Sequence, residues 1–140
     1  MTNKNHSKNI NRVLWIAQII LALLFLITGV TKLVMPAEFL HTTFTWTKET
    51  NLVSVRLIGF FEIMGSMGLI LPSWLRIKPQ LTPFAAVGIA VIMLLASILH
   101  ISRGEFSELP INIIVLFMSA FIVMGRLKKS PIPAKHFALE

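Results

Sequence analysis

Three ionisable side chains, Lys32, Arg56 and Glu62, sit inside long apolar runs, and His100 and Asn112 lie close to the ends of two more. A charge at the centre of a hydrocarbon layer costs roughly 2.5–3.5 kcal/mol on insertion scales, so each of these groups needs a partner or a cavity. A lysine facing a glutamate can hold a carbonyl group or relay a proton, and an imidazole and an amide beside them add hydrogen bonds. Read for function, Lys32, Glu62, His100 and Asn112 line a polar cavity. Read for structure alone, Lys32 and Glu62 are a charge pair that fixes helix register and binds nothing. Arg56 is expected to snorkel outward to the headgroups. His100 is expected to rest at the interface, and Asn112 to hydrogen-bond between helices.

The elements that must position these groups are four apolar runs. With 55% hydrophobic and 14% charged residues and a mean hydropathy of +0.77, the chain lies outside the range of soluble domains. The runs predict spans at about 13–34, 52–71, 83–100 and 109–125, the second stopped by Pro72 and the third opened by Pro83. The fourth is the shortest. Hydrocarbon offers the backbone no hydrogen bonds, so the fold class is all-α, a membrane four-helix bundle. Residues 1–12 and 128–140 are read as tails around a single domain, 13–127. The first run is too long for the apolar part of a signal peptide, and no small-residue cleavage site follows it.

Basic residues set the expected orientation. The first tail holds Lys4, Lys8 and Arg12, the loop between runs two and three holds Arg76 and Lys78, and the last segment holds Arg126, Lys128, Lys129 and Lys135. An even number of spans puts these on one side, and the other side has only Lys48 and Arg103 among four glutamates. The positive-inside rule predicts both termini in the cytoplasm of a cell with a plasma membrane such as a bacterial inner membrane. Trp15 and Trp74 then fall at the inner interface. The charge is clustered at tails and in one loop rather than interleaved with aromatics, so nucleic acid is not an expected partner. With no cysteine, the chain supplies no disulfide or thiolate ligand, and no metal site is expected. The longest connection, Pro36 to Asn51, alternates polar and apolar residues around Thr43–Thr47. It is read as a short extended segment or an amphipathic cover, either resting in the headgroups or closing an outer pocket.

Helical spacing assigns the faces. Gln18, Ala22, Phe25, Gly29 and Lys32 form one seam of the first helix. Arg56, Gly59, Glu62 and Ser66 fall within an arc of about 120° on the second, with Gly65 at its edge. Gly29, Gly59, Gly65 and Ser66 are the expected helix-packing residues, since small side chains let helices approach in lipid. Side chains lean toward their helix N-terminus, so Lys32 and Glu62, on antiparallel helices, lean toward each other. Counted from the helix ends they differ in depth by about 12 Å, a gap for two long side chains, with or without a water.

These residues resemble the DoxX-like membrane family. The similar elements are Gly29-x-x-Lys32, Arg56-x-x-Gly59-x-x-Glu62, Gly65 and Gly68 before Leu71-Pro72, the segment His100 to Glu105, and Asn112, spread over about residues 13 to 127. The resemblance implies a four-helix membrane protein, with Lys32, Arg56 and Glu62 as site candidates and no established catalytic set. Some relatives are associated with membrane oxidoreductase systems that include sulfur-compound oxidation coupled to quinone. Four functions follow from these readings. The first is a non-catalytic membrane subunit or small-molecule binder, with quinone as a candidate ligand and a partner subunit or homo-oligomer beside it. The second is a quinone-linked redox component, although one histidine near a span cannot supply bis-histidine haem ligation. A small transporter and an assembly factor complete the set.

Overall fold

The computed structural model describes the backbone of residues 2–135 and the side-chain surroundings of residues 8–135. Helix α1 (Thr2–Val34) is followed by a short helix α2 (Ala37–Thr43) and a 3₁₀ turn at Thr45–Glu49. Then come α3 (Leu52–Leu75), α4 (Leu81–Ser102), a second 3₁₀ turn at Phe106–Glu108 and α5 (Leu109–Met124), which ends in a π-helical turn, Gly125–Lys129. No strand occurs among the described residues. Four segments are long and apolar enough to cross a membrane: Lys8–Val34, Leu52–Leu75, Leu81–Ser102 and Phe106–Lys129.

Three boundaries differ from the sequence reading. Residues 2–12, read as a tail, continue helix α1 toward the N-terminus. Pro72 does not stop the second span, which runs on to Leu75. Proline lacks an N–H and removes one intrahelical bond, and three residues from the helix end that loss is tolerated. Arg76 then closes the helix in the left-handed conformation at φ 57°. The fourth span is short only as a pure α-helix. Its 16 residues rise about 24 Å at 1.5 Å each, and the flanking 3₁₀ and π turns extend the span to 24 residues.

The helices pack in chain order, α1 on α3, α3 on α4 and α4 on α5, with a sparser seam between α5 and α1. The core is Leu21, Ala22, Phe25, Leu69, Ala86, Ile89, Val115 and Ile122. It is narrow because most apolar side chains, such as Ile27, Phe61, Leu95 and Phe117, point outward. In water that surface would drive aggregation; in lipid it is the solvated face.

Two glycine contacts set the register. A Cβ on Gly29 would meet the carbonyl oxygen of Gly59 at 2.8 Å, and one on Gly59 would meet that of Gly29 at 2.8 Å. Only glycine at both positions allows α1 and α3 this crossing. At the other end of the seam Gly125 seats against the side chain of Leu14. Ser66 donates to the Ala22 carbonyl at 2.7 Å, tying α3 to α1 about two turns further along, and Gly65 lies against Ile89 of α4.

Candidate ligand pocket

The reciprocal glycine crossing decides how Lys32 meets Glu62. With Gly29 opposite Gly59, the two residues stand three positions to either side of the crossing, about 9 Å apart in helix rise. Their side chains lean into that gap and close it without a water. Lys32 Nζ donates to Glu62 Oε1 at 2.7 Å and to Oε2 at 2.8 Å, with the residues only 4% and 6% exposed. The sequence estimate of depth was too large because it was counted from helix ends rather than from the crossing.

The connection between α1 and α3 covers this pair. Pro36 opens α2, which buries Leu40, and the 3₁₀ turn buries Thr47. The threonine-rich stretch is therefore not an extended strand. Thr47 and Thr50 turn their hydroxyls onto the carbonyls of Phe44 and Trp46 at 2.7 and 2.9 Å, which favours a tight turn over an extended chain. The turn places the Phe44 ring 4.7 Å and the Trp46 ring 6.0 Å from Lys32 Nζ, so the ammonium has a carboxylate on one side and aromatic faces on another. Arg103 holds the turn down by donating to the Trp46 carbonyl at 3.3 Å.

Beneath this cover lies a cavity of about 540 Å³, bounded by α1, α3, α4, α5 and the turn. Its walls are mainly apolar, with Phe25, Met93 and Val115 among them. Its polar groups are Lys32, Glu62, His100, Asn112, Glu108 and Thr28. Four of the five sequence-derived candidates thus border one space. His100 is buried in the protein, 6% exposed, and its Nδ1 lies 2.6 Å from Glu105 Oε2 across the turn that ends α4. Asn112 does not bond between helices. It is 7% exposed and its Nδ2 has no hydrogen-bond partner. A buried donor left unpaired costs about 1–3 kcal/mol, an expense that a bound acceptor would remove.

Arg56 is the fifth candidate and does not border the cavity. It does not reach for the headgroups either. Its guanidinium donates from Nη1 to the Lys32 carbonyl and from Nη2 to the Met35 carbonyl at 2.8 Å. The last carbonyls of a helix have no intrahelical donors, and in an antiparallel pair the first turn of α3 stands beside the last turn of α1. Arg56 caps α1 across that interface and fixes the backbone that carries Lys32.

The DoxX-like family matches residues 16–122. The chain belongs to the DoxX-like family. Comparison with curated proteins and with solved structures found no match. Family membership and four apolar helices make this an integral, multi-pass membrane protein. The matched region of this DoxX-like chain contains every pocket-lining residue named above and the Arg56 cap. Among the described residues, no group of three or more histidines and carboxylates is arranged to hold a metal ion.

One polar cluster of this DoxX-like bundle was not anticipated from sequence. At the opposite, basic end, Gln18 donates from Nε2 to the Leu69 carbonyl and accepts from Arg126 Nε, both at 2.6 Å. Arg126 had been grouped with the tail charges. A signal was present in Gln18, the lone amide in that half of the first run, which required a buried partner.

Proposed function

We propose that this protein is a non-catalytic membrane subunit that binds a small amphipathic molecule in the covered cavity, with quinone as the leading ligand class. The carrying observation is Asn112, a buried residue that borders a cavity of about 540 Å³ with mainly apolar walls and whose Nδ2 has no hydrogen-bond partner. Ligand sites of this kind combine apolar walls with a few convergent polar groups. A quinone ring suits the apolar walls, its carbonyl oxygen accepts from Asn112, and a second carbonyl has His100 and Lys32 within the same space. The Lys32–Glu62 pair cancels its own charge and leaves a dipole at this wall of the cavity, which favours a neutral, polarisable ligand there. Charge asymmetry supports an orientation with both termini in the cytoplasm of a plasma membrane, so the cavity serves the outer leaflet. A partner subunit or a second copy of the chain would pass electrons or substrate to a ligand held there.

Trp46 gives a local test, because Trp15 and Trp74 are the only other indoles and neither lines the cavity. In a background with Trp15→Phe and Trp74→Phe, a short-chain benzoquinone should quench Trp46 fluorescence with a saturable dependence on concentration. Asn112→Leu should weaken that binding by about tenfold or more, the value of one buried hydrogen bond. Quenching that rises linearly and is the same in the Asn112→Leu variant would refute the reading.

A further inference from the structure

Arg126 stands in the π-helical turn that ends the fourth span and is 4% exposed. Its Nε is used by Gln18, its Nη1 donates to Asn11 Oδ1 at 2.6 Å and to the Ser130 carbonyl at 3.3 Å, and its guanidinium carbon lies 5.2 Å from the Trp15 ring centroid. Nη2 has no partner. All of these neighbours are neutral, and no described carboxylate forms an ion pair with Arg126. A buried guanidinium held only by amides, a carbonyl and an indole keeps its charge uncompensated.

Arg126 also borders a second cavity, of about 230 Å³, separate from the first. Ser73, Pro79, Gln80, Phe84 and Ile132 form other parts of its wall. The wall at Pro131 and Ile132 is held in place because Lys135 N donates to the Arg76 carbonyl at 2.9 Å, laying the C-terminal segment across the α3–α4 loop. Arg76, Lys78, Lys128 and Lys129 belong to the same end, and the exposed Phe84 ring forms part of the cavity wall. The space is that of several waters at about 30 Å³ each, enough for a phosphate and its first ester linkage.

We infer that this cavity is a phosphate site, filled by the headgroup of an anionic phospholipid or by free phosphate, with the buried Arg126 guanidinium as its cation and Gln80 at its rim. Arginine suits this role because its guanidinium stays charged and presents donors in a planar fork. Nε and Nη1 are committed to Gln18, Asn11 and Ser130, so Nη2 is the donor left for a phosphate that seats against the guanidinium. The site requires nothing of the outer cavity.

The test uses the full chain. It is reconstituted into phosphatidylcholine vesicles with or without phosphatidylglycerol and re-extracted in neutral detergent, and the lipid held per chain is counted by mass spectrometry. In parallel, inorganic phosphate is titrated onto delipidated protein while the melting temperature is followed. Retention of phosphatidylglycerol by the wild type is expected, reduced about tenfold in Arg126→Met through loss of one charge-assisted hydrogen bond. Gln80 is exposed, so Gln80→Glu keeps the fold and should reduce retention similarly by placing a carboxylate at the rim. Lys129→Gln, which removes an exposed charge outside the cavity, should bind as the wild type does. A melting shift with phosphate but no retained phospholipid would identify free anion as the occupant and still support the site. Equal retention in all variants with no phosphate-dependent shift would overturn it. So would equal loss in Lys129→Gln and Arg126→Met.

Discussion

Each end of the bundle buries a cation, and the two are compensated in different ways. Lys32 donates to both oxygens of a facing carboxylate, at 2.7 and 2.8 Å, and the cavity beside it carries this neutralised pair. Arg126 has no carboxylate partner among the described residues and leans on Gln18, Asn11 and Trp15. The contrast follows from side-chain chemistry. A lone buried ammonium is costly, so a counter-charge is built in. A guanidinium, with more donors and weaker hydration, tolerates neutral partners and leaves Nη2 unpaired. The two proposed ligands differ accordingly, an uncharged guest at one end and an anion at the other.

The strongest way to break this comparison is to remove the built-in counter-charge. Glu62→Gln leaves Lys32 buried beside Phe44 and Trp46 without its carboxylate and should cost about 3–5 kcal/mol in reversible detergent unfolding. Replacing both partners, Lys32→Met with Glu62→Met, should restore most of that stability, because a well-packed apolar pair avoids the desolvation of two ions. If the double variant stays as unstable as Glu62→Gln, the pair is not acting as a unit.

A smaller effect is expected at the crossing that sets the register. Gly29→Ala places a methyl group 2.8 Å from the Gly59 carbonyl oxygen and should destabilise by about 1–3 kcal/mol as the helices part. It should also weaken ligand quenching of Trp46, because Lys32 and Glu62 lose alignment. An unchanged melting temperature would show that the close approach is dispensable.

Arg56→Gln should cost less, about 1–2 kcal/mol, by removing donors from the Lys32 and Met35 carbonyls. Amide exchange should quicken selectively in the last turn of α1. Global quickening instead would place Arg56 in the core of stability rather than at a helix end.

The smallest change carries a sign. Asn112→Leu removes an unpaired buried donor and should leave the ligand-free protein unchanged or up to about 1 kcal/mol more stable. A merely structural asparagine would destabilise the bundle when replaced.

Much of this arrangement was legible in the residues. The four spans, the seam from Gln18 to Lys32 and the facing arc from Arg56 to Ser66 follow from hydropathy and helical period, which lipid leaves as the main variables. Other features depend on how separate helices meet. Arg56 looked like a snorkelling anchor because its own helix was considered alone, whereas its partners are the end carbonyls of the neighbouring helix. Arg126 looked like a tail charge because a π-helical turn, not apolar composition, carries the fourth span that far. The threonine stretch alternated like a strand, yet its hydroxyls bond to nearby carbonyls and tighten the chain into a turn. Asn112 was visible as polar and buried, but that it lacks a partner emerges only when α4 and α5 are in place.

The most direct measurement of the central claim is native mass spectrometry of the chain purified gently from its own membrane. It would compare the wild type with Asn112→Leu and with Ala96→Trp, which fills the cavity beside Lys32 from α4. A small neutral molecule should travel with the wild type and be absent from both variants, while all three give similar melting temperatures. The same adduct in all three proteins, or none in the wild type, would contradict a ligand site at Asn112.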